Sequence, residues 1–130
     1  MDTTGYDLSL RHMVMNLNCN STSNLFGGQM LAWIDEGAAM YASCQMGRDE
    51  LVTRHIAGID FKLPIPRGWT CTVYCRTLKE GRTSIVVDVL VTRKSNSRHI
   101  EELVTTTQVV FVAVNADGVA VEWTKSNGQD

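Results

Sequence analysis

The apolar residues of this chain follow two periods, one typical of a helix and the other typical of strands. From about Gly28 to Met46 the chain is apolar on nearly all sides, which predicts a central helix rather than a surface one. Gly47 follows this run and is predicted to cap its carboxyl end. The first long element of the chain is therefore predicted to be a buried helix.

After residue 50 the apolar positions recur every second residue, most clearly over residues 84–92. We predict strands at 8–16, 51–63 with a bulge at Gly58, 70–78, 84–92 and 100–114. Turn residues separate these strands at 64–68, 79–82 and 95–98. The order β-α-β-β-β-β predicts an α+β fold, in which a long antiparallel sheet curls around the one central helix.

The length of 130 residues fits a single domain, and neither an internal repeat nor a linker is visible. We place this domain at residues 1–118, followed by a weakly specified tail at 119–130. Residues 1–7 lack the basic and apolar pattern of a targeting segment. Asp35 and Glu36 stand in the middle of the apolar run, which argues against a membrane span.

The net charge of −2 argues against general nucleic-acid binding, which needs a basic surface. The charge is unevenly distributed, however. Residues 62–98 hold eight Lys or Arg against Glu80 and Asp88, a local balance of +6. This segment could bind a small polyanion, or its cations could be solvated residues at strand edges and hairpin tips.

Asp35 is the most unusual residue of the predicted helix. It shares a helical stripe with Gly28, Leu31 and several alanines, and a charge in such a stripe is costly to bury unless a partner or a reaction uses it. The helix also begins at two glycines, Gly27 and Gly28, whose backbone N–H groups are exposed to any ligand. Asp35 could alternatively be a buried acid that pairs with Arg54 or with a backbone group.

The four cysteines and three histidines do not form a recognisable metal pattern. Cys71 and Cys75 fall on one face of a predicted strand, so we expect reduced cysteines that mostly pack in a core. A thiol nucleophile at Cys19 is not favoured, because no histidine partner can be assigned to it.

Several short motifs resemble the hotdog-fold acyl-CoA thioesterases, in particular the bacterial acyl-CoA hydrolases related to brain-type cytosolic acyl-CoA hydrolase. The resemblance covers roughly residues 8–115. Its pieces are Asn20, Phe26-Gly27-Gly28, Trp33-Ile34-Asp35-Glu36, Asp60-Phe61-Lys62-x-Pro64 and Gly81-Arg82-Thr83-Ser84. Their joint spacing is more specific than any one of them.

The resemblance implies a role for each residue of the first motifs. Asp35 would be the general base or the nucleophile, and Gly27 or Gly28 would direct a backbone N–H at the thioester carbonyl oxygen. Asn20 would help to place the water or the carbonyl. The loop departs from many relatives, which often have a glycine where this chain has Ser23, so Asn24 is a second candidate for that asparagine.

The resemblance further implies an acyl-CoA substrate, no metal and no redox cofactor. The lack of a targeting pattern and the expected reduced cysteines favour a cytoplasmic location. A homodimer would be the minimal unit, because the family takes the acid from one subunit and the loop and helix start from the other, and a trimer of dimers is common. The candidate substrate-binding residues are Phe26, Thr53, Gly81, Arg82, Thr83, Ser84, Arg93 and Lys94. Among these, Arg82, Arg93 and Lys94 are the candidates for the CoA phosphates.

Two other functions remain open at this point. A non-catalytic acyl-CoA-binding or regulatory protein would keep the fold and the basic segment but would not need Asp35. A hydratase or dehydratase of the same fold would need a His–Asp pair, and residues 18–36 contain no histidine. Asn20 could also be only a turn former.

Overall fold

A computed structural model describes residues 2–123 of the chain. Its elements are β1 (Asp7–Met13), a 3₁₀ turn (Asn16–Asn18), α1 (Gly27–Met46), β2 (Leu51–Ile56), β3 (Thr70–Glu80), β4 (Ser84–Lys94) and β5 (Glu101–Ala113). The five strands form one antiparallel sheet in the order β1-β3-β4-β5-β2. The predicted α+β arrangement is confirmed, since α1 contacts all five strands on one face of this sheet.

Helix α1 ends as the sequence predicts. Gly47 adopts the left-handed conformation with φ 67°, and its N–H donates to the Ser43 carbonyl at 2.9 Å. Burial is less complete than predicted, because Leu31 and Met40 remain 39% and 50% exposed in the single chain. The helix therefore packs on the sheet with one side and leaves an apolar strip uncovered.

The core follows the alternation along the central strands. Ile85, Val87, Val89 and Val91 of β4 are all fully buried on the face toward α1, as predicted. Cys71 and Cys75 of β3 lie in the same core as free thiols, and burial raises the pKa of each to about 12. These two cysteines are packing residues.

The prediction for the second strand was too long. Strand β2 ends at Ile56, and its register shift lies between Thr53 and His55, not at Gly58. Residues 57–63 leave the ladder and curve over the start of α1, retaining the hydrogen bonds from the N–H of Ala57 to Gln108 and from that of Lys62 to Val104. The alternation of apolar and polar residues over 57–63 therefore comes from side chains that cover the start of α1, and not from a strand.

The chain after β5 is more ordered than predicted. Residues 119–123 return along the sheet, where Val121 N–H donates to the Ala113 carbonyl at 2.9 Å. Trp123 is 4% exposed, and its Nε1–H donates to the Ser84 carbonyl at 3.0 Å. The first part of the tail predicted at 119–130 thus packs on the domain, and its remainder lies outside the described residues.

Candidate active site

Asp35 lies on the side of α1 that faces the edge strand β2. The Thr53 hydroxyl donates a hydrogen bond of 2.8 Å to Asp35 Oδ1, and the carboxylate is only half-buried. Within residues 2–123 Asp35 forms no ion pair, so the alternative pairing with Arg54 is not present there. Thr53 therefore fixes the orientation of a carboxylate that still faces outward.

Exposed apolar residues occur on both elements at the open edge of the sheet near Asp35. Leu31 lies one turn earlier on α1, and Val52 precedes Thr53 on β2 with 46% of its surface exposed. Among the described residues strand β2 pairs only with β5, so its other edge carries backbone groups that no other described strand pairs with. An exposed edge with apolar side chains is typical of a surface that a partner covers.

The start of α1 offers backbone donors. Phe26 is its N-cap residue and provides no side-chain cap. Among the described residues, no acceptor lies within hydrogen-bonding distance of the Gly27 or Gly28 N–H. These two groups lie at the positive end of the helix dipole and can bind an oxygen atom that gains negative charge.

Close neighbours explain why glycine stands at both positions. A Cβ at Gly28 would lie 2.7 Å from the ring of Phe26, and one at Gly27 would lie 3.3 Å from the ring of Phe61. Beside Gly27 there is a groove of about 260 Å³, lined by Leu25, Gly27, Met30, Phe61, Leu63, Pro64 and Ile65. The start of α1 at Gly27 thus borders a groove lined mostly by apolar residues.

The polar loop before α1 holds both candidate asparagines. Asn20 Oδ1 accepts hydrogen bonds from the N–H and the hydroxyl of Thr22 and from the Asn24 N–H, at 3.0, 2.6 and 3.3 Å. The Asn24 amide nitrogen is directed at Thr22, whereas the Asn20 amide nitrogen has no acceptor within the described chain. Asn20 is thus a turn former that keeps a free donor.

Two further residues, Ser23 and Asn18, shape this loop. Ser23 has φ 63°, the left-handed conformation that favours glycine. The buried Asn18 links the loop to the helix, because its carbonyl accepts from the Phe26 N–H and its amide donates to Gln29. The only signal for Asn18 was its place in a run of turn-forming residues.

The remaining predicted substrate residues do not gather in one place. Gly81 donates to the Ser84 carbonyl and the Thr83 carbonyl accepts from Ala113, so this hairpin is held by its own backbone and by β5. Arg82 is 82% exposed in its side chain, at the opposite end of β4 from Lys94. The ten residue steps from Ser84 to Lys94 correspond to about 33 Å.

Arg93 is largely occupied by contacts within the chain. Its guanidinium bonds Glu102 at 3.0 Å and the Pro64 carbonyl at 2.6 Å, and it lies over the ring of Trp69 at 5.1 Å. The side chain is 16% exposed. Arg93 thus contributes to holding the loop at Pro64 on the sheet.

In residues 2–123 we find no group of three or more His, Cys, Asp or Glu side chains that could hold a metal ion. The same part of the chain contains no helix that is long and apolar enough to cross a membrane.

Comparison with known proteins identifies the family. The model of the thioesterase superfamily matches residues 22–100. An acyl-CoA thioester hydrolase, YciA from Salmonella typhimurium, is 32% identical over 122 residues, which cover 91% of this chain and 91% of that protein. The chain belongs to the thioesterase superfamily, and its fold is the hotdog fold.

Solved structures agree with this assignment. The hexameric thioesterase y2039 from Yersinia pestis has a TM-score of 0.84 and 26% identity, with 91% of this chain and 95% of that chain covered. Cj0915, a hexameric hotdog fold thioesterase of Campylobacter jejuni, has a TM-score of 0.82 and 28% identity, with 94% and 93% covered. The resemblance inferred from the short motifs is confirmed, and the chain is a thioester hydrolase by family.

Proposed function

We propose that this protein is an acyl-CoA thioesterase that hydrolyses an acyl-CoA thioester to the free acid and CoA. The observation that carries the proposal is the Asp35 carboxylate, held by the Thr53 hydroxyl at 2.8 Å and open to the edge of the sheet. The names of similar proteins, which include acyl-CoA thioester hydrolases, support the same substrate class.

In this mechanism water attacks the thioester carbon while Asp35 accepts a proton from it, or Asp35 attacks directly as the nucleophile. The carbonyl oxygen becomes negatively charged and receives hydrogen bonds from the Gly27 or Gly28 N–H. The Asn20 amide, which keeps a free donor, assists in placing the water or the carbonyl. On the general-base route the carbon–sulfur bond then breaks, and Asp35 passes its proton to the CoA thiolate. On the nucleophile route the carbon–sulfur bond breaks as Asp35 forms a mixed anhydride with the acyl group. Water then hydrolyses this anhydride, which releases the acid, restores the Asp35 carboxylate and supplies the proton of the CoA thiol.

These groups cannot act on one thioester within a single chain. Eight residues separate Gly27 from Asp35, which is about 12 Å along the helix axis. We therefore propose that a second copy supplies the loop and the helix start, with the exposed edge of β2 at the contact. The homodimer would then be the minimal active unit. A trimer of such dimers would give a hexamer, the assembly named for y2039 and Cj0915.

The roles of the other predicted residues are part of the proposal. Phe26 would border the bound thioester, and the hairpin from Gly81 to Ser84 would lie at the CoA end. Because β4 separates Arg82 from Arg93 and Lys94, we propose that these cations do not form one phosphate site in a chain. We also propose a cytoplasmic location, since the four cysteines are free thiols.

The test is the release of free thiol from a panel of acyl-CoA substrates by wild type and two variants. Asp35→Asn should keep the fold and lower kcat on the order of 10²-fold or more, because the amide cannot accept the proton. Glu36→Gln is the matched control, since Glu36 is the next acid on the same helix and is exposed. Its kcat should stay close to that of wild type.

Near-normal turnover by a folded Asp35→Asn protein would refute this mechanism. A wild-type protein that binds acyl-CoA without releasing thiol would favour the non-catalytic binding protein instead.

A further inference from the structure

The face of the sheet that points away from α1 carries a polar cavity that the thioesterase mechanism does not use. Its volume is about 310 Å³, and it is lined by Arg11, Thr70, Thr72, Lys94, Asn96 and Glu101. The strand register places these residues there, because Arg11 is opposite Thr72 and Lys94 is opposite both Thr70 and Glu101. The intervening residue Cys71 points into the core on the other face.

Two cations line this cavity without a carboxylate partner. Arg11 donates its Nε–H to the Thr72 hydroxyl at 3.3 Å and also bonds the Tyr74 hydroxyl, so that two of the five N–H groups of its guanidinium can be engaged and others remain for a ligand. Lys94 Nζ has one long contact, to the Ser95 carbonyl at 3.4 Å. None of the ion pairs formed among residues 2–123 includes Arg11 or Lys94.

The one carboxylate of the cavity is held by neutral hydroxyls. Glu101 Oε2 accepts hydrogen bonds from the Tyr74 and Thr92 hydroxyls at 2.7 and 2.6 Å. Both donors are buried on this face. Lys94 and Glu101 are cross-strand neighbours, yet the Glu101 carboxylate bonds the two hydroxyls and forms no ion pair with Lys94 within residues 2–123.

The rim of the cavity is also fixed by hydrogen bonds. The Thr70 hydroxyl donates to Asn96 Oδ1 at 2.5 Å, and the Asn96 amide donates to the Gly68 carbonyl at 2.7 Å. A guanidinium fork and an ammonium group, set among hydroxyls on rigid strands, match the chemistry by which proteins bind phosphate groups.

We propose that this outer-face cavity is a binding site for a phosphate-bearing anion, held by Arg11 and Lys94. The site lies across the sheet from α1, so its ligand is not the thioester that the Asp35 of the same chain attacks. The phosphate can belong to a free small molecule or to the CoA of a neighbouring active site, and the experiment separates these two sources. The site stands independently of the proposed catalytic role of Asp35.

The experiment is calorimetric titration of the whole protein with inorganic pyrophosphate at low ionic strength. Arg11→Gln and Lys94→Gln should each weaken binding by at least about tenfold, because each removes a charge-assisted hydrogen bond. Lys79→Gln is the matched control, since it removes one exposed cation of β3 outside the cavity and should leave the affinity unchanged. Glu101→Gln should tighten binding, because it removes the one negative charge from the cavity while keeping an oxygen for the two hydroxyls.

Competition with CoA shows which molecule carries the bound phosphate group. If CoA displaces pyrophosphate from wild type, the phosphate is that of CoA, and if it does not, the ligand is a free anion. Either result is consistent with a phosphate site in this cavity. The proposal is overturned if wild type binds pyrophosphate with Kd above about 1 mM, or if Lys79→Gln loses as much affinity as the two cavity variants. It is also overturned if those variants change the mass measured by light scattering and leave the affinity unchanged.

Discussion

A site shared between two chains makes a quantitative prediction about mixtures of inactive variants. Asp35→Ala removes the carboxylate, and Asn20→Ala removes the free amide donor of the loop. In a mixed dimer, one site would combine the intact Asp35 of one chain with the intact loop of the other. Its second site would lack both residues.

The expected magnitude follows from counting sites. Random re-association of equal amounts of the two variants gives mixed dimers as about half of all dimers, each with one of its two sites intact. The mixture should therefore regain about a quarter of the wild-type activity per chain. The assay is thiol release after the subunits have been dissociated in mild denaturant and refolded together, with each variant refolded alone as the background.

A second mixture tests whether a wild-type chain loses its activity when it pairs with a chain that lacks both residues. Wild type is re-associated with an equal amount of a chain that carries both Asp35→Ala and Asn20→Ala. If the site is shared, every mixed dimer is inactive and about a quarter of the activity remains, whereas sites contained in single chains would leave about half. A remainder near half, together with no recovery in the first mixture, would refute the two-chain site once mass spectrometry shows that mixed dimers have formed.

Four further predictions concern Thr53, Ser23 and the cysteines. Thr53→Val should lower kcat about tenfold with little change in KM, because it removes the hydrogen bond that orients Asp35; an unchanged kcat would show that this bond has no catalytic consequence. Ser23→Gly should raise the free energy of unfolding by about 0.5 kcal/mol, because relief of the left-handed conformation exceeds the added chain entropy of glycine, and a lower midpoint in urea would contradict this. Cys71 and Cys75 should resist alkylation in the native state while Cys44 reacts. Because their pKa is raised from 9.0 to about 12, the unfolded state loses protons first, so the free energy of unfolding should fall between pH 9 and 12.

The fold could be predicted from the sequence where the hydrophobic pattern of a segment matches the element that the segment forms in the structure. The run from Gly28 to Met46 is too apolar to be anything other than a core element, and residues 84–92 alternate as a strand buried on one face does. Residues 57–63 alternate in a similar way, yet they leave the sheet. Ile59 and Leu63 are partly buried against the core and Phe61 lies beside Gly27 with 47% of its surface exposed, and periodicity alone does not distinguish this packing from a neighbouring strand.

The candidate site could be predicted only in part, for a related reason. Asp35 and the glycine pair stand out because a charge in an apolar helix and two glycines at its start contradict ordinary helix preferences. The partner of Asp35 is Thr53, eighteen residues away on an edge strand, and no local pattern marks that contact. Arg93 was a candidate for the CoA phosphates in the sequence. In the structure its guanidinium is occupied by Glu102, Pro64 and Trp69, and no sequence pattern indicates these contacts.

The order of strands in the sheet also constrains how the protein folds during synthesis. Strand β2, which carries Thr53, has β5 as its neighbour in the sheet, and β5 is the last strand to be made. Trp123, still later in the chain, enters the core beside the hairpin at Ser84. Closing the sheet therefore requires contacts between distant parts of the chain, which slow folding. The edge of the sheet that carries Thr53 can therefore join the sheet only after β5 has left the ribosome, so we expect it to be among the last parts of the domain to form.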